Sequence, residues 1–120
     1  MKKRLKGLLE YSILNKNGRQ EHVLELMAGC GRNATLLKKY FKKVSMVEAA
    51  SKNLPWWPKY VEAFNCKVQD FDFKEDNYDC IVGVWCLSYL NSTDREELLD
   101  KIFRSLRHKG YLILFEAVLR

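Results

Sequence analysis

The chain is short of the residues that build metal or disulfide scaffolds. Its 120 residues include four cysteines, two histidines and two prolines, and no Cys-x-x-Cys pair. Cys30, Cys66, Cys80 and Cys86 lie far apart, and His22 and His108 do not complete a zinc set with them at ligand spacing. The four thiols read as small buried hydrophobes of an intracellular protein, cytoplasmic or nuclear, that holds no metal. Long apolar runs are missing too. The longest, Cys80 to Leu90, is broken by Gly83 and Ser88, and a membrane-spanning helix needs about 20 apolar residues. The basic start (Lys2, Lys3, Arg4, Lys6) lacks the apolar stretch and cleavage site of a secretory signal. With 48% hydrophobic and 30% charged residues, the composition is that of a folded protein. The length suits a single domain spanning residues 1–120. The net charge of +6 suits an acidic partner, nucleic acid included, but equally an ordinary basic surface.

Apolar periodicity alternates between helix and strand. Leu5, Leu8, Leu9, Ser12 and Ile13 share one helical face, which predicts a helix over residues 3–14. A strand over His22 to Met27, a helix over Asn33 to Lys42 and a strand over Val44 to Glu48 follow. Pro55 and Pro58 bracket Trp56 and Trp57 in an irregular stretch, with a short helix expected over Pro58 to Phe64. Cys66 to Phe71 reads as the third strand and Tyr78 to Trp85 as the fourth, buried on both faces. Thr93 with Glu96 forms a capping box for a helix to about Arg107, closed by Gly110, and Tyr111 to Leu119 is the fifth strand. This alternation specifies an α/β fold, a doubly wound, mostly parallel sheet.

The chemistry concentrates where the first strand meets the next helix. Gly29 and Gly31 let the backbone turn sharply and approach a ligand without a Cβ in the way. A carboxylate at Glu48, the end of strand two, can accept both hydroxyls of a ribose. Strand, glycine loop, helix, strand and acid in that order point to an adenosine-containing cofactor. Gly29-x-Gly31-x-x-Ala34 also satisfies the dinucleotide fingerprint, so NAD is the alternative. Glu25 two residues before the loop, the short chain, and Arg32, whose charge suits an amino-acid carboxylate, weigh against it.

Glu25-Leu26-Met27-Ala28-Gly29-Cys30-Gly31 resembles the first motif, acid-x-Gly-x-Gly-x-Gly, of class I S-adenosylmethionine-dependent methyltransferases. Val47-Glu48, Tyr78-Asp79-Cys80-Ile81 and Leu106 to Leu112 are similar to that family's second-strand, fourth-strand and fifth-strand motifs. Met27 stands where the family has its first glycine. The resemblance implies a Rossmann-like sheet of order 3-2-1-4-5, here without the usual C-terminal hairpin, and S-adenosylmethionine as cofactor. More narrowly, Ala28 to Arg32, Val44-x-Met46-Val47-Glu48, Val68-Gln69-Asp70-Phe71 and Tyr78-Asp79-x-Ile81-x-x-x-Trp85 resemble the protein alpha-N-terminal methyltransferases, which act on chains beginning Xaa-Pro-Lys. That likeness implies a cofactor set of Glu25, Gly29, Gly31, Arg32 and Glu48, with Val68, Gln69 and Asp70 near the adenine and Trp85 at the substrate entry. Val84, Tyr89 and Glu116-Ala117 depart from the family at its catalytic positions.

Methyl transfer to an amine needs a neutral acceptor, so a nearby group must take or hold its proton. Tyr89 and Glu116 are the catalytic candidates, and Asp70 a further acid. Each has a plainer alternative. Trp85 serves equally as core, Trp56 and Trp57 as staples of their loop, and Glu116 as a structural hydrogen-bond partner within strand five. Three functions stay open: a protein N-terminal amine methyltransferase, a cofactor-binding subunit that is weakly active or partner-dependent, and an RNA methyltransferase. With the sequence ending at Arg120, strand five is expected to expose an apolar edge. Either a second copy or a different subunit covers it, or it is bare because the sequence is a fragment of a longer one.

Overall fold

Apolar side chains that alternate along several strands need cover on both faces of a sheet, and the computed structural model shows how they obtain it. It describes residues 2–14, 20–84 and 86–116; Trp85 and positions 117–119 of the expected fifth strand lie outside the described residues. The elements are α1 (Lys2–Leu14), β1 (Gln20–Leu26), α2 (Ala34–Tyr40), β2 (Phe41–Val47), β3 (Val61–Phe64), β4 (Tyr78–Val84), α3 (Ser92–Ser105) and β5 (Leu106–Phe115). Short 3-10 turns occupy Ser51–Trp56 and Val68–Asp70. The five strands form one parallel sheet in the expected order, β3-β2-β1-β4-β5.

Period-two alternation sorts the core into two layers. Val23, Val44, Met46, Cys80, Val82 and Ile113 pack with Leu5 and Leu9 of α1 and Leu37 of α2. Leu24, Leu26, Val47 and Ile81 pack on the other face with Leu98 and Ile102 of α3. Among the described residues, no helix is long and apolar enough to cross a membrane.

The edge strands differ from expectation. Residues 58–64, expected as a helix, contain β3, whose Val61 and Phe64 pair with Val44 and Val47 of β2. Cys66 to Phe71, expected as the third strand, instead holds the 3-10 turn Val68–Asp70, and Val68 and Phe71 still reach the core. Four residues such as Val61-Glu62-Ala63-Phe64 are too few for periodicity to separate strand from helix, so pairing with β2 decides. The cap of α3 is Asn91, whose Oδ1 accepts the Asp94 N–H at 2.8 Å, rather than the Thr93–Glu96 box.

Gly110 does not close that helix. The chain enters β5 at Leu106, and Gly110 sits in a bulge where Leu106 pairs with Tyr78 and Tyr111 with Cys80. Lys109 there has a φ of 65°, and a Cβ on Gly110 would lie 2.7 Å from the Arg107 carbonyl oxygen. The bulge lies opposite Asp79. Its Oδ2 accepts the N–H groups of Glu21 (2.9 Å) and His22 (2.8 Å), and Arg107 Nη1 approaches to 3.3 Å. One carboxylate therefore ties the starts of β1, β4 and β5.

Candidate functional site

The sheet order places β1 between β2 and β4, with connections leaving in opposite directions. A crevice opens at the carboxyl ends of the strands at such a switch point. The loop from Met27 to Asn33 fills its floor. Met27, Gly29 and Gly31 take φ values of 52°, 61° and 77°. Met27 thus occupies the left-handed region that a glycine would adopt without strain. The loop is fastened by Ala28 N–H to the Val47 carbonyl at 3.0 Å and Ala34 N–H to the Gly31 carbonyl at 3.1 Å.

Trp57, expected as a staple of its own loop, reaches the glycine loop as well. Its indole Nε1 donates to the Gly29 carbonyl at 2.9 Å, and its ring lies so close to Gly31 that a Cβ there would meet Cδ1 at 2.6 Å. It staples the glycine loop, whereas Trp56 is 76% exposed. The double tryptophan was a visible signal, but a sequence does not say which of two adjacent rings turns inward.

Glu48, directly after β2, has both carboxylate oxygens engaged. Oε1 accepts the Gly29 N–H and Oε2 the Ala50 N–H, each at 2.9 Å. Asn53 Nδ2 adds a longer bond to Oε2 at 3.4 Å, and since a carboxylate offers about four lone-pair positions, Oε1 keeps acceptor capacity. Glu25 lies in β1 and is 2% exposed. Its Oε2 accepts from Asn33 Nδ2 at 2.7 Å, while Oε1 is buried without a hydrogen-bond partner. Burial pushes its carboxyl up from the usual 4.5 to about 7, against the opposing pull of Asn33 and of the Arg32 charge. The Asn33 bond, across the loop from Glu25, was not anticipated from sequence. Arg32 is exposed at the loop's end and makes no ion pair among the described residues.

Above the loop, Glu48, Val68, Gln69 and Tyr89 line one cleft of about 220 Å³ together with Met27 and Leu90. Glu25, Gly29, Gly31 and Arg32 do not line it. Asp70 faces a separate groove with Asp72, Lys101 and Arg104. Tyr89 is 74% exposed on the rim. Glu116 is half-buried and lies just past β5 rather than inside it. Its Oε1 accepts the Leu87 N–H at 3.0 Å and its Oε2 the Ser88 hydroxyl at 2.6 Å.

Known proteins share these elements. The N-terminal Xaa-Pro-Lys N-methyltransferase 1 of Xenopus tropicalis is 29% identical over an alignment covering 98% of this chain and 56% of that protein. A carboxy-S-adenosyl-L-methionine synthase of Campylobacter jejuni is 33% identical over 89 residues, 69% of this chain and 37% of that protein. Among solved structures, a SAM-dependent methyltransferase of Leishmania major superposes with a TM-score of 0.80 at 22% identity, covering 92% of this chain and 48% of that chain, a likeness of fold. The chain spans 37% and 56% of the length of these two curated relatives. The sequence model of the AdoMet-dependent proline di-methyltransferases matches residues 2–120. That match leaves no described element outside it, and the chain belongs to this family, whose cofactor is S-adenosylmethionine.

Proposed function

We propose that this chain binds S-adenosylmethionine over its glycine loop and directs the methyl group to the free amine of a protein N-terminus beginning Xaa-Pro-Lys. The observation that carries the reading is Glu25 Oε1, a buried acidic oxygen without a hydrogen-bond partner, beneath a loop in which Gly29 leaves open space where a Cβ would stand. An α-ammonium group would supply the missing bond and the opposite charge. The cofactor's other parts fit the residues present. Glu48 would hold the ribose hydroxyls, Val68 and Gln69 the adenine, with Asp70 behind them, and Arg32 the carboxylate. Once bound, the cofactor supplies an activated methyl on a positive sulfur.

The protein's task is alignment and a lone pair on the acceptor. The exposed Tyr89 hydroxyl stands on the cleft rim, where it can orient an incoming amine. The rim is open to water, which can carry away the proton that the ammonium form must lose. The four described cysteines are free thiols, in keeping with an intracellular setting, cytoplasmic or nuclear.

A second reading, a cofactor-binding subunit completed by further polypeptide, is favoured by one feature. Among the described residues, β5 has only β4 as a neighbour in the sheet. Calorimetry with S-adenosylhomocysteine, followed by methyl transfer to an Xaa-Pro-Lys peptide and to bulk RNA, separates the readings. Transfer to the peptide alone supports the proposal. Binding without transfer favours the subunit, transfer to RNA the remaining alternative, and preference for NAD overturns the site.

Two substitutions probe the cofactor contacts. Glu48→Ala is expected to weaken S-adenosylhomocysteine by about 1.5–3 kcal/mol, the range for hydrogen bonds to a charged group. Unchanged affinity in a calorimetric titration would remove Glu48 from the ribose site. Arg32→Ala is expected to weaken S-adenosylhomocysteine much more than adenosine, which has no carboxylate. Equal losses for the two ligands would show that Arg32 does not contact that group.

A further inference from the structure

The exits of β4 and β5 lie side by side, because Val84 pairs with Phe115 at the end of the parallel ladder. The turn 86–90 leaves from one exit and Glu116 from the other. Glu116 takes that turn in both carboxylate oxygens, the Leu87 N–H on Oε1 and the Ser88 hydroxyl on Oε2. An O–H to carboxylate bond of 2.6 Å is short and charge-assisted. The rest of the turn is held separately. Leu90 N–H bonds the Leu87 carbonyl at 3.2 Å, and Arg95 Nη2 bonds the Leu90 carbonyl at 2.9 Å. Cys86 is buried against Gly83, where a Cβ would come within 2.7 Å of Sγ. The next residues, Tyr89 and Leu90, form the cleft wall beside Glu48 and Val68.

We infer that Glu116 is a positioning residue, a two-pronged clamp on Leu87 and Ser88 that sets the turn carrying Tyr89 over the cofactor cleft. It acts through the turn, since its oxygens bond Leu87 and Ser88 while Tyr89 and Leu90, not Glu116, line the cleft. The inference rests on the methyltransferase reading for its consequence, but the clamp itself is testable without substrate.

Glu116→Gln separates a clamp from a proton acceptor. A glutamine amide can accept from Leu87 and donate to the Ser88 oxygen, so it keeps both contacts while removing the charge. Glu116→Ala removes both contacts. Amide hydrogen exchange of residues 86–90 in the cofactor-free full chain is expected to quicken about tenfold or more in Glu116→Ala, in line with loss of charge-assisted bonds. Glu116→Gln should stay near the wild-type rate. Ser88→Ala, which removes one prong, should fall between them and keeps the question answerable if Glu116→Ala does not fold. Turnover of an Xaa-Pro-Lys peptide should fall about ten- to a hundredfold in Glu116→Ala, the scale of a small misplacement of a site group. It should largely return in Glu116→Gln. Unchanged exchange in both Glu116→Ala and Ser88→Ala, or turnover lost as fully in Glu116→Gln as in Glu116→Ala, overturns the inference. If the wild-type chain methylates no peptide, the substrate reading falls and the exchange rates still decide the clamp.

Discussion

Replacing Glu25 with Gln is expected to raise stability relative to wild type as pH rises, while weakening cofactor binding. The carboxyl of Glu25 is raised by burial from 4.5 to about 7. Below pH 4.5 it is protonated in both folded and unfolded chains, and its burial incurs no charge penalty. Between pH 4.5 and 7 the unfolded chain ionises while the folded chain holds its proton, so stability falls with rising pH. Above pH 7 the full penalty is in place, about 3 kcal/mol by linkage. Gln cannot ionise. Its stability relative to wild type should therefore improve by about 3 kcal/mol between pH 4.5 and pH 8. Comparing the two proteins at both pH values cancels pH-independent costs such as the amide's unsatisfied N–H. Urea unfolding measures the swing, and a difference that stays flat with pH would mean that Glu25 is not a buried charge. Affinity for S-adenosylhomocysteine at pH 8 should fall about ten- to a hundredfold as the ammonium loses its counter-charge.

Gly31→Ala should be the most damaging change in the loop. Its φ of 77° disfavours any Cβ, and the added carbon would lie 2.6 Å from Trp57 Cδ1 and 3.0 Å from Nε1. Trp57 is 8% exposed and held by its bond to the Gly29 carbonyl, so the ring cannot swing aside at little cost. Left-handed strain and a weakened indole bond together predict a loss of about 2–4 kcal/mol. Gly29→Ala is the control. It has a similar φ of 61° but no atom within 4 Å of its Cβ, so it should lose only about 1–2 kcal/mol. Thermal unfolding of the pair would measure the gap, and equal losses would show that Trp57 does not press on Gly31.

What sequence reveals here follows the reach of its signals. β1, β2 and β4 lie inside the sheet, and their clusters of Val, Leu, Ile and Met mark them to within about three residues. The loop glycines were legible because a sharp turn favours residues free to take positive φ, and both take it. β3 was displaced to Cys66–Phe71 because an edge strand has one neighbour to shape it, and Glu62 and Ala63 are exposed. The cap of α3 was assigned to Thr93, since Asn91 and Thr93 are both good caps and only the fold selects between them. Side-chain partnerships were the least legible. Asn33 with Glu25 spans the loop, and Trp57 with Gly29 and Ser88 with Glu116 each join residues 28 apart, at distances no local pattern encodes.

The Asp79 tie has a consequence for how this molecule comes together. Its two backbone partners are 57 and 58 residues upstream, so the centre of the sheet closes across a long loop. β1 and β2 pair over a much shorter separation, Val23 with Val44. Loop-closure entropy favours the nearer pairing, and non-local parallel pairing is the slow kind. Pairing in this order would join β1 to β2 first and leave one flank of β1 bare until β4 docks. Val23 to Leu26 then wait, with unpaired amides, for residues 80–83 to arrive. The strand that carries Glu25 would thus be half-bare until that pairing closes, and transient association during folding is expected to involve it.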